Sequence, residues 1–410
     1  MPRRLSRQQS LFTEFSALAI SAFGAIVFNI GGIFAGRTAV LLNKIQPYLP
    51  WIFLIFPLLL TVRGDISGIL TGNLGTSLHL GTIKPSFKDN SKRFYELLSL
   101  IMMLSFYDSV FVTIISSIIC LIIGIPIEFL SILVIVITTF FIGTVISLSL
   151  TVAFSFFVFK HNGDPDVYTY PIMSTANDII ITIVFFLICI FYRPWKTKLS
   201  LFVGIPFVIL VLSFIVFLQV YCLKNDFIML GLKQSLPPLL VTTIIAAGTG
   251  SILVSFESLL QAVPIVLVVL PSVLSTVGAQ NSIIANTTTT KLHLGSLEPK
   301  ISFIGSKELI LPFSAFGTVG FLMSIIYSLL AVAIYPFDIT LNLYFSLLLV
   351  LILTNLISYL IISSLAFVTA VLTYKYGFNP DNIVIPVLST MADLISTSFL
   401  VLFSTLIILQ

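Results

Sequence analysis

Residues 164–178 read DPDVYTYPIMSTAND, and residues 379–393 read NPDNIVIPVLSTMAD. At an offset of 215, Pro165, Asp166, Pro171, Ser174, Thr175 and Asp178 recur as Pro380, Asp381, Pro386, Ser389, Thr390 and Asp393. Each phrase ends on an aspartate and runs on into an apolar stretch. If the helix starts near Asp166, Asp178 lies about 18 Å along it at ~1.5 Å per residue. That is near the middle of a hydrocarbon core roughly 30 Å thick. A carboxylate at such depth costs roughly 2.5–3.5 kcal/mol on insertion scales. A chain that carries this cost twice, in one sequence context, points to a use for the charge. Holding a cation on its way across a membrane is the direct one. The bland reading is that each Asp caps or bonds a neighbouring helix.

The rest of the composition agrees with a membrane setting. Of 410 residues, 58% are hydrophobic and 9% charged, with a mean hydropathy of +1.15. Soluble domains carry about 25% charged residues. The first ten residues hold Arg3, Arg4 and Arg7. The apolar segment behind them is too long for a removable signal peptide and lacks a cleavage site, so it reads as a retained first span. The net charge of +4 comes largely from loop Lys and Arg, which are topology signals, and no nucleic-acid partner is expected. Cys120, Cys189 and Cys222 are scattered through apolar segments, and they form neither a disulfide framework nor a metal cluster.

A span needs about 20 mostly apolar residues. Eleven stretches qualify: 11–36, 48–82, 96–124, 127–158, 167–192, 199–222, 236–260, 262–297, 309–334, 341–372 and 382–409. Satisfying every backbone polar group within lipid favours helices, and the alternation of a membrane β-barrel is absent. With the N-terminus inside, the inner segments hold fourteen Lys and Arg and the outer ones five. The charge rule therefore predicts a multi-pass cell-membrane protein with the N-terminus inside and the C-terminus outside.

A second repeated phrase fixes the organisation. Residues 57–85 read PLLLTVRGDISGILTGNLGTSLHLGTIKP, and residues 271–299 read PSVLSTVGAQNSIIANTTTTKLHLGSLEP. Ten of these 29 positions match at an offset of 214. The chain therefore reads as two five-span repeats, 1–195 and 225–410, joined by an extra span within 196–224. The extra span returns the chain to its starting side, so the repeats run parallel, as a covalent pseudo-dimer in what is expected to be a monomeric chain.

The candidate chemistry gathers on polar residues within spans. Two carboxylates in one low-dielectric pathway repel unless a cation lies between them. Oxygen-only ligands suit hard divalent ions such as Mg²⁺, which keeps several waters and needs few protein ligands. Mn²⁺ and other divalent ions are alternatives. Asp178 and Asp393 are the metal candidates. Ser174, Thr175, Ser389 and Thr390 share their helical faces and can bond the ion's waters or the carboxylates. The second span and its repeat are unusually polar, with Gly64, Asp65 and Asn281 among the residues placed beside the pathway, and Gly278 matching Gly64. The glycine stripe from Gly64 to Gly75 also suits close helix packing. Arg63 needs an acidic partner. Asp108, near the middle of the third span, is a candidate for that partner or for a coupling-ion or proton site. His79 and His293 read as helix-end hydrogen-bonding groups.

These phrases together resemble the membrane domain of the MgtE family of Mg²⁺ transporters and channels, especially the solute-carrier branch that fuses two MgtE-type units in one chain. PLLLTVRGD…GNLGTSLHLG is similar to that branch's second-helix motif. P-x-x-S-T-x-x-D in both halves is similar to the family's last-helix Thr-Thr-Leu-Ala-Asp. The resemblance implies a ten-helix pore core with a pore-lining acid at Asp178 and at Asp393. The family's Gly-Asn falls on Gly64-Asp65 and on Gly278-Ala279, which departs from equal ion contacts in the two halves. No stretch corresponds to the cytoplasmic gating domains of bacterial members, so gating by a soluble Mg²⁺ sensor is not expected.

The reading is an all-α polytopic divalent-cation transporter or channel, not an enzyme, with the ion bound between two pseudo-symmetric repeats. Exchange against Na⁺ or H⁺ is the alternative mechanism. An intramembrane aspartyl protease also needs two buried acids, and Tyr107-Asp108 suits it, but its Gly-x-Gly-Asp phrase is absent. A scaffold without transport is the third reading.

Overall fold

A computed structural model describes residues 2–163, 165–192, 199–222, 225–293, 297–299, 307–334, 340–376 and 380–409. Among the described residues the chain forms helices and no strands. They are α1 (Pro2–Ile26), α2 (Gly32–Val40), α3 (Ile52–His79), α4 (Lys92–Ile123), α5 (Phe129–Lys160), α6 (Pro165–Tyr192), α7 (Leu199–Cys222), α8 (Asp226–Ser255), α9 (Glu257–Ala262), α10 (Ile265–His293), α11 (Lys307–Ile334), α12 (Leu341–Lys375) and α13 (Pro380–Ile407). Among the described residues, eleven helical stretches are long and apolar enough to cross a membrane, matching in number the eleven spans read from sequence. The repeat is visible in the helix ends. Lys92, Lys160 and Pro165 of the first half recur at an offset of 215 as Lys307, Lys375 and Pro380, each at the same end of its helix. The side chains of Asp166, Pro171, Asp381 and Pro386 from the repeated phrase lie outside what is described. So do those of Asn286, Thr287, Thr289, Thr290 and His293, and of Arg193, Lys196, Lys198, Lys224 and Lys300 from the charge count.

Helix ends follow local chemistry rather than hydropathy. At Gly124, φ is +81° and the backbone is left-handed. The amides of Gly124 and Ile125 both reach the Cys120 carbonyl, and Pro126 follows, so α4 cannot continue. The α8 helix begins at Asp226, ten residues before the apolar stretch at 236 taken from sequence as its start. Its N-cap, Asn225, accepts from the amides of Phe227 and Ile228 at 3.1 and 3.3 Å. Hydropathy reports only the lipid-facing length, whereas the cap sets where hydrogen bonding starts. The first span is also longer than its apolar core. Helix α1 passes through 3-10 turns on either side of α2 and reaches Lys44.

The chain forms two compact units, residues 34–261, and residues 1–33 with 262–410. In the first, α3 is the central element, with 83% of its membrane window buried against 22% for α7. It packs against α4, α5, α6 and α8. An apolar cluster of Leu100, Met103, Leu104, Cys222, Ile228, Leu232 and Leu239 joins α4, α7 and α8. Gly250 lets α8 close onto α3. A Cβ there would sit 2.1 Å from the Leu54 carbonyl oxygen and 3.0 Å from the Leu54 Cα. Backbone cannot rotate away, so Gly250→Ala is expected to cost about 1–3 kcal/mol through overpacking. The check is a lower temperature of aggregation for the purified variant, and an unchanged temperature would show that this contact does not set the helix spacing.

In the unit of residues 1–33 and 262–410, α10 is central, with 72% of its window buried. It packs against α1, α11, α12 and α13. Gly32 closes onto Ser272, whose backbone nitrogen would lie 2.8 Å from an added Cβ. The two units divide the chain differently from the repeat. Helix α8 precedes the second repeat's central helix in sequence yet packs on α3 and α4, while α1 packs on α10 and α11. Each unit thus combines the last four long helices of one repeat with the opening helix of the other, and the unit of residues 34–261 also holds the linking helix α7.

Candidate functional site

Among the described residues, the buried charged side chains are Arg63, Asp65, Asp108 and Asp178, all in the unit of residues 34–261. They come from α3, α4 and α6, each near the middle of its helix. Mid-helix placement on three neighbouring helices brings them to one level. The Arg63 guanidinium forms an ion pair with the Asp178 carboxylate. Arg63 also donates to the Ser67 hydroxyl at 3.3 Å. Asn177 donates to the same hydroxyl at 3.2 Å and to Thr151 Oγ1 at 3.4 Å. The arginine's partner is therefore Asp178, an acid assigned from sequence to ion binding, and not Asp108. A buried Arg demands a charge-assisted acceptor, and α6 places one against α3. A cleft lined by Arg63, Ser67, Thr144 and Ser147, with Ile66, Leu70, Ile101, Phe140 and Leu148, opens beside this pair.

Asp108 is fully enclosed. Its Oδ1 accepts a 3.4 Å bond from the Thr243 hydroxyl of α8, and it lies close enough to Asp65 of α3 for the two charges to interact. Of the other residues proposed from sequence, Thr175 is buried and Ser174 half-buried on α6. Gly64 and Gly278 share one property: a Cβ at either position meets nothing within 4 Å. Gly72 is the same. At these positions glycine leaves open space and does not serve helix contact, which sets aside the packing reading of the stripe there.

The equivalent positions of the other unit are filled differently. Val277 stands at the position of Arg63, Ala392 at that of Asn177 and Ile362 at that of Ser147, and these three form an apolar cluster. Met323 replaces Asp108. Polar function is carried there by neutral amides. Asn281 donates to the Val277 carbonyl at 2.6 Å and accepts from Ser363 at 2.9 Å. Gln280 donates to the Phe316 carbonyl at 2.7 Å and accepts from Asn355 at 3.3 Å. Asp393 is half-buried on α13, with Ser389 half-buried and Thr390 buried one turn before it. No three His, Cys, Asp or Glu side chains converge among the described residues. Any metal bound here therefore relies on few carboxylates, hydroxyls and retained water.

Ser67 belongs to the polar stretch of the second span that the sequence places beside the pathway, whereas Thr151, Asn177 and Thr243 are not singled out by sequence. A search for matched residues passes over Asn177, whose counterpart is Ala392. Thr243 is legible only once α8 is known to pack on α4.

Apolar helices of membrane-spanning length, doubled in sequence, with charged groups buried at mid-helix, define a multi-pass membrane protein with an internal repeat. The family model for MgtE, described as a divalent cation transporter, matches residues 56–188 and 270–403. The chain belongs to this family. Each matched region ends ten residues beyond its aspartate, Asp178 or Asp393. Among solved structures, the chain is similar to that of the eukaryotic MATE transporter AtDTX14, at 12% identity and a TM-score of 0.29, over 98% of this chain and 97% of that one. Comparison with curated protein sequences gives no match.

Proposed function

We propose that this protein carries Mg²⁺ across the cell membrane, and that Asp178 and Asp393 are the acids that contact the ion. The observation that carries the reading is the recurrence of one acid, in one phrase, on the last helix of both matched regions. Chemistry agrees with it: carboxylate, hydroxyl and amide oxygens favour hard cations, and Mg²⁺ accepts few protein ligands because it keeps its water. The two acids have different surroundings. Asp178 is held by Arg63, so a cation reaching it displaces the guanidinium. At the position of Arg63 the other unit has Val277, which offers no such competitor. The Lys and Arg distribution supports a cytoplasmic N-terminus.

The test is ion flux into liposomes carrying the purified protein. Mg²⁺, Mn²⁺, Co²⁺ and Ca²⁺ are compared, with and without Na⁺ and pH gradients. Flux of Mg²⁺ above that of empty liposomes is expected. A preparation that is monodisperse yet passes none of the four ions would end the reading. The gradient arms separate a channel from an exchanger. Gly64→Ala and Gly278→Ala give a second check. With open space around each Cβ, neither variant is expected to lose stability beyond about 0.5 kcal/mol. Both are expected to slow flux if the space is the ion's path. Unchanged flux in both would place the path elsewhere.

A further inference from the structure

Serine and threonine inside a helix commonly close onto a carbonyl three or four residues back. On α12 and α13 the half-buried hydroxyls do so. Ser364 donates to Leu360, Thr373 to Thr369, Ser398 to Leu394 and Thr405 to Leu402. The enclosed ones behave differently. Thr354 and Ser358 of α12, and Ser396, Thr397 and Ser404 of α13, are each 0% exposed. None of their hydroxyl oxygens has a hydrogen-bond partner among the described residues. Thr182, the equivalent of Thr397 at an offset of 215, donates to the Asp178 carbonyl at 2.7 Å. That backbone bond is therefore sterically open at this position, and Thr397 forgoes it.

These hydroxyls share one seam. Ile362 of α12 packs with Ala392 of α13. The two helices are consecutive spans that pack together, so one turn further along each stand Ser358 and Ser396. In the first repeat these positions are Gly143 and Ile181, and a Cβ on Gly143 would lie 2.4 Å from the Ile181 Cδ1. Ser358 and Ser396 thus face each other, yet neither bonds the other or its own helix. On α13, Ser396 and Thr397 follow Asp393 by three and four residues, on its face of the helix. Ser404 lies seven residues after Thr397 and continues that face, while exposed Leu402 and Leu406 mark the lipid side. A buried hydroxyl without a protein partner is costly unless water supplies one.

We propose that Thr354, Ser358, Ser396, Thr397 and Ser404 line a hydrated track between α12 and α13. It runs from Asp393 toward the C-terminal end of α13, and through it the ion at Asp393 exchanges its water. The proposal rests on reading Asp393 as an ion ligand. Mg²⁺ sheds water reluctantly, and each hydroxyl can both donate to and accept from the waters it keeps. The first repeat is dry at this seam, because Gly143, Ile181 and Cys189 stand at the positions of Ser358, Ser396 and Ser404.

The experiment is thiol modification by a small hydrophilic cation, methanethiosulfonate ethylammonium, on the full-length protein in liposomes. Cys189, the buried counterpart of Ser404, supplies the dry control once Cys120→Ala and Cys222→Ala are introduced. The test protein carries Cys189→Ala as well, with Ser396→Cys. Only a thiol that meets water ionises and reacts, so Ser396→Cys is expected to be modified at least about tenfold faster than Cys189. Equal, slow modification of both overturns the proposal. If Ser396→Cys does not fold, Ser404→Cys is judged by the same comparison. A second arm pairs Ser358→Gly with Ser396→Ile, which rebuilds the first repeat's contact in the second. Several-fold slower Mg²⁺ flux from this monodisperse double variant supports the track, and wild-type flux overturns it. The carrier reading fails separately: wild-type liposomes that pass no divalent ion would sink it, whatever the modification rate at Ser396.

Discussion

Asp178→Asn is expected to destabilise the protein by about 3–5 kcal/mol, because it leaves the Arg63 guanidinium buried without its counter-charge. Arg63→Val, the residue found at this position in the other repeat, is expected to cost a similar amount by stranding Asp178. The double variant should recover most of the loss. An ion pair enclosed in a low-dielectric interior is expensive to break and cheap to replace as a whole. Ser67 and Asn177 sharpen the effect, since both hydrogen-bond within the same network and lose partners when it rearranges. The measurement is a double-mutant cycle on thermal unfolding of purified protein. A coupling energy near zero would mean that the pair is not formed in the membrane. Arg63→Val also tests the arginine as the cation's competitor. With the guanidinium gone, Asp178 should bind Mn²⁺ more tightly than it does in the wild type.

Asp393→Asn is expected to abolish most divalent flux at little cost in stability. Asp393 is half-buried, and the position that carries Arg63 in the other unit is Val277 here. No buried arginine at that position depends on Asp393. Removing a carboxylate ligand from a dehydrating ion is expected to lower flux by at least about tenfold, the equivalent of roughly 1.4 kcal/mol. The contrast with Asp178→Asn is informative. One variant loses transport and keeps its melting temperature, whereas the other loses both. Wild-type flux through Asp393→Asn liposomes would remove this acid from the pathway.

Much of this was legible beforehand, and the reasons are physical. Eleven spans, the doubling and the mid-depth acids follow from composition and local phrase, because the bilayer imposes helix and apolarity on each segment separately. Arg63's need for an acid was equally plain. Which acid was not. Asp65, Asp108 and Asp178 all lie at similar depth, and choosing among them requires knowing which helices touch. The matched-residue logic also misdirects where the halves differ. Val277, Ile362 and Ala392 fill with apolar side chains the positions at which the first half places Arg63, Ser147 and Asn177.

The residues alone determined the membrane setting, the repeat and the chemistry available, since each of these is set by free energies acting within one segment. Only the tertiary structure decided that Arg63 meets Asp178, that α8 lies on α3 and α4, and that Thr243 faces Asp108. Helical periodicity fixes which side chains share a face, but not the face they oppose. That choice is made by packing between segments far apart in the chain, as where Gly250 admits the Leu54 backbone.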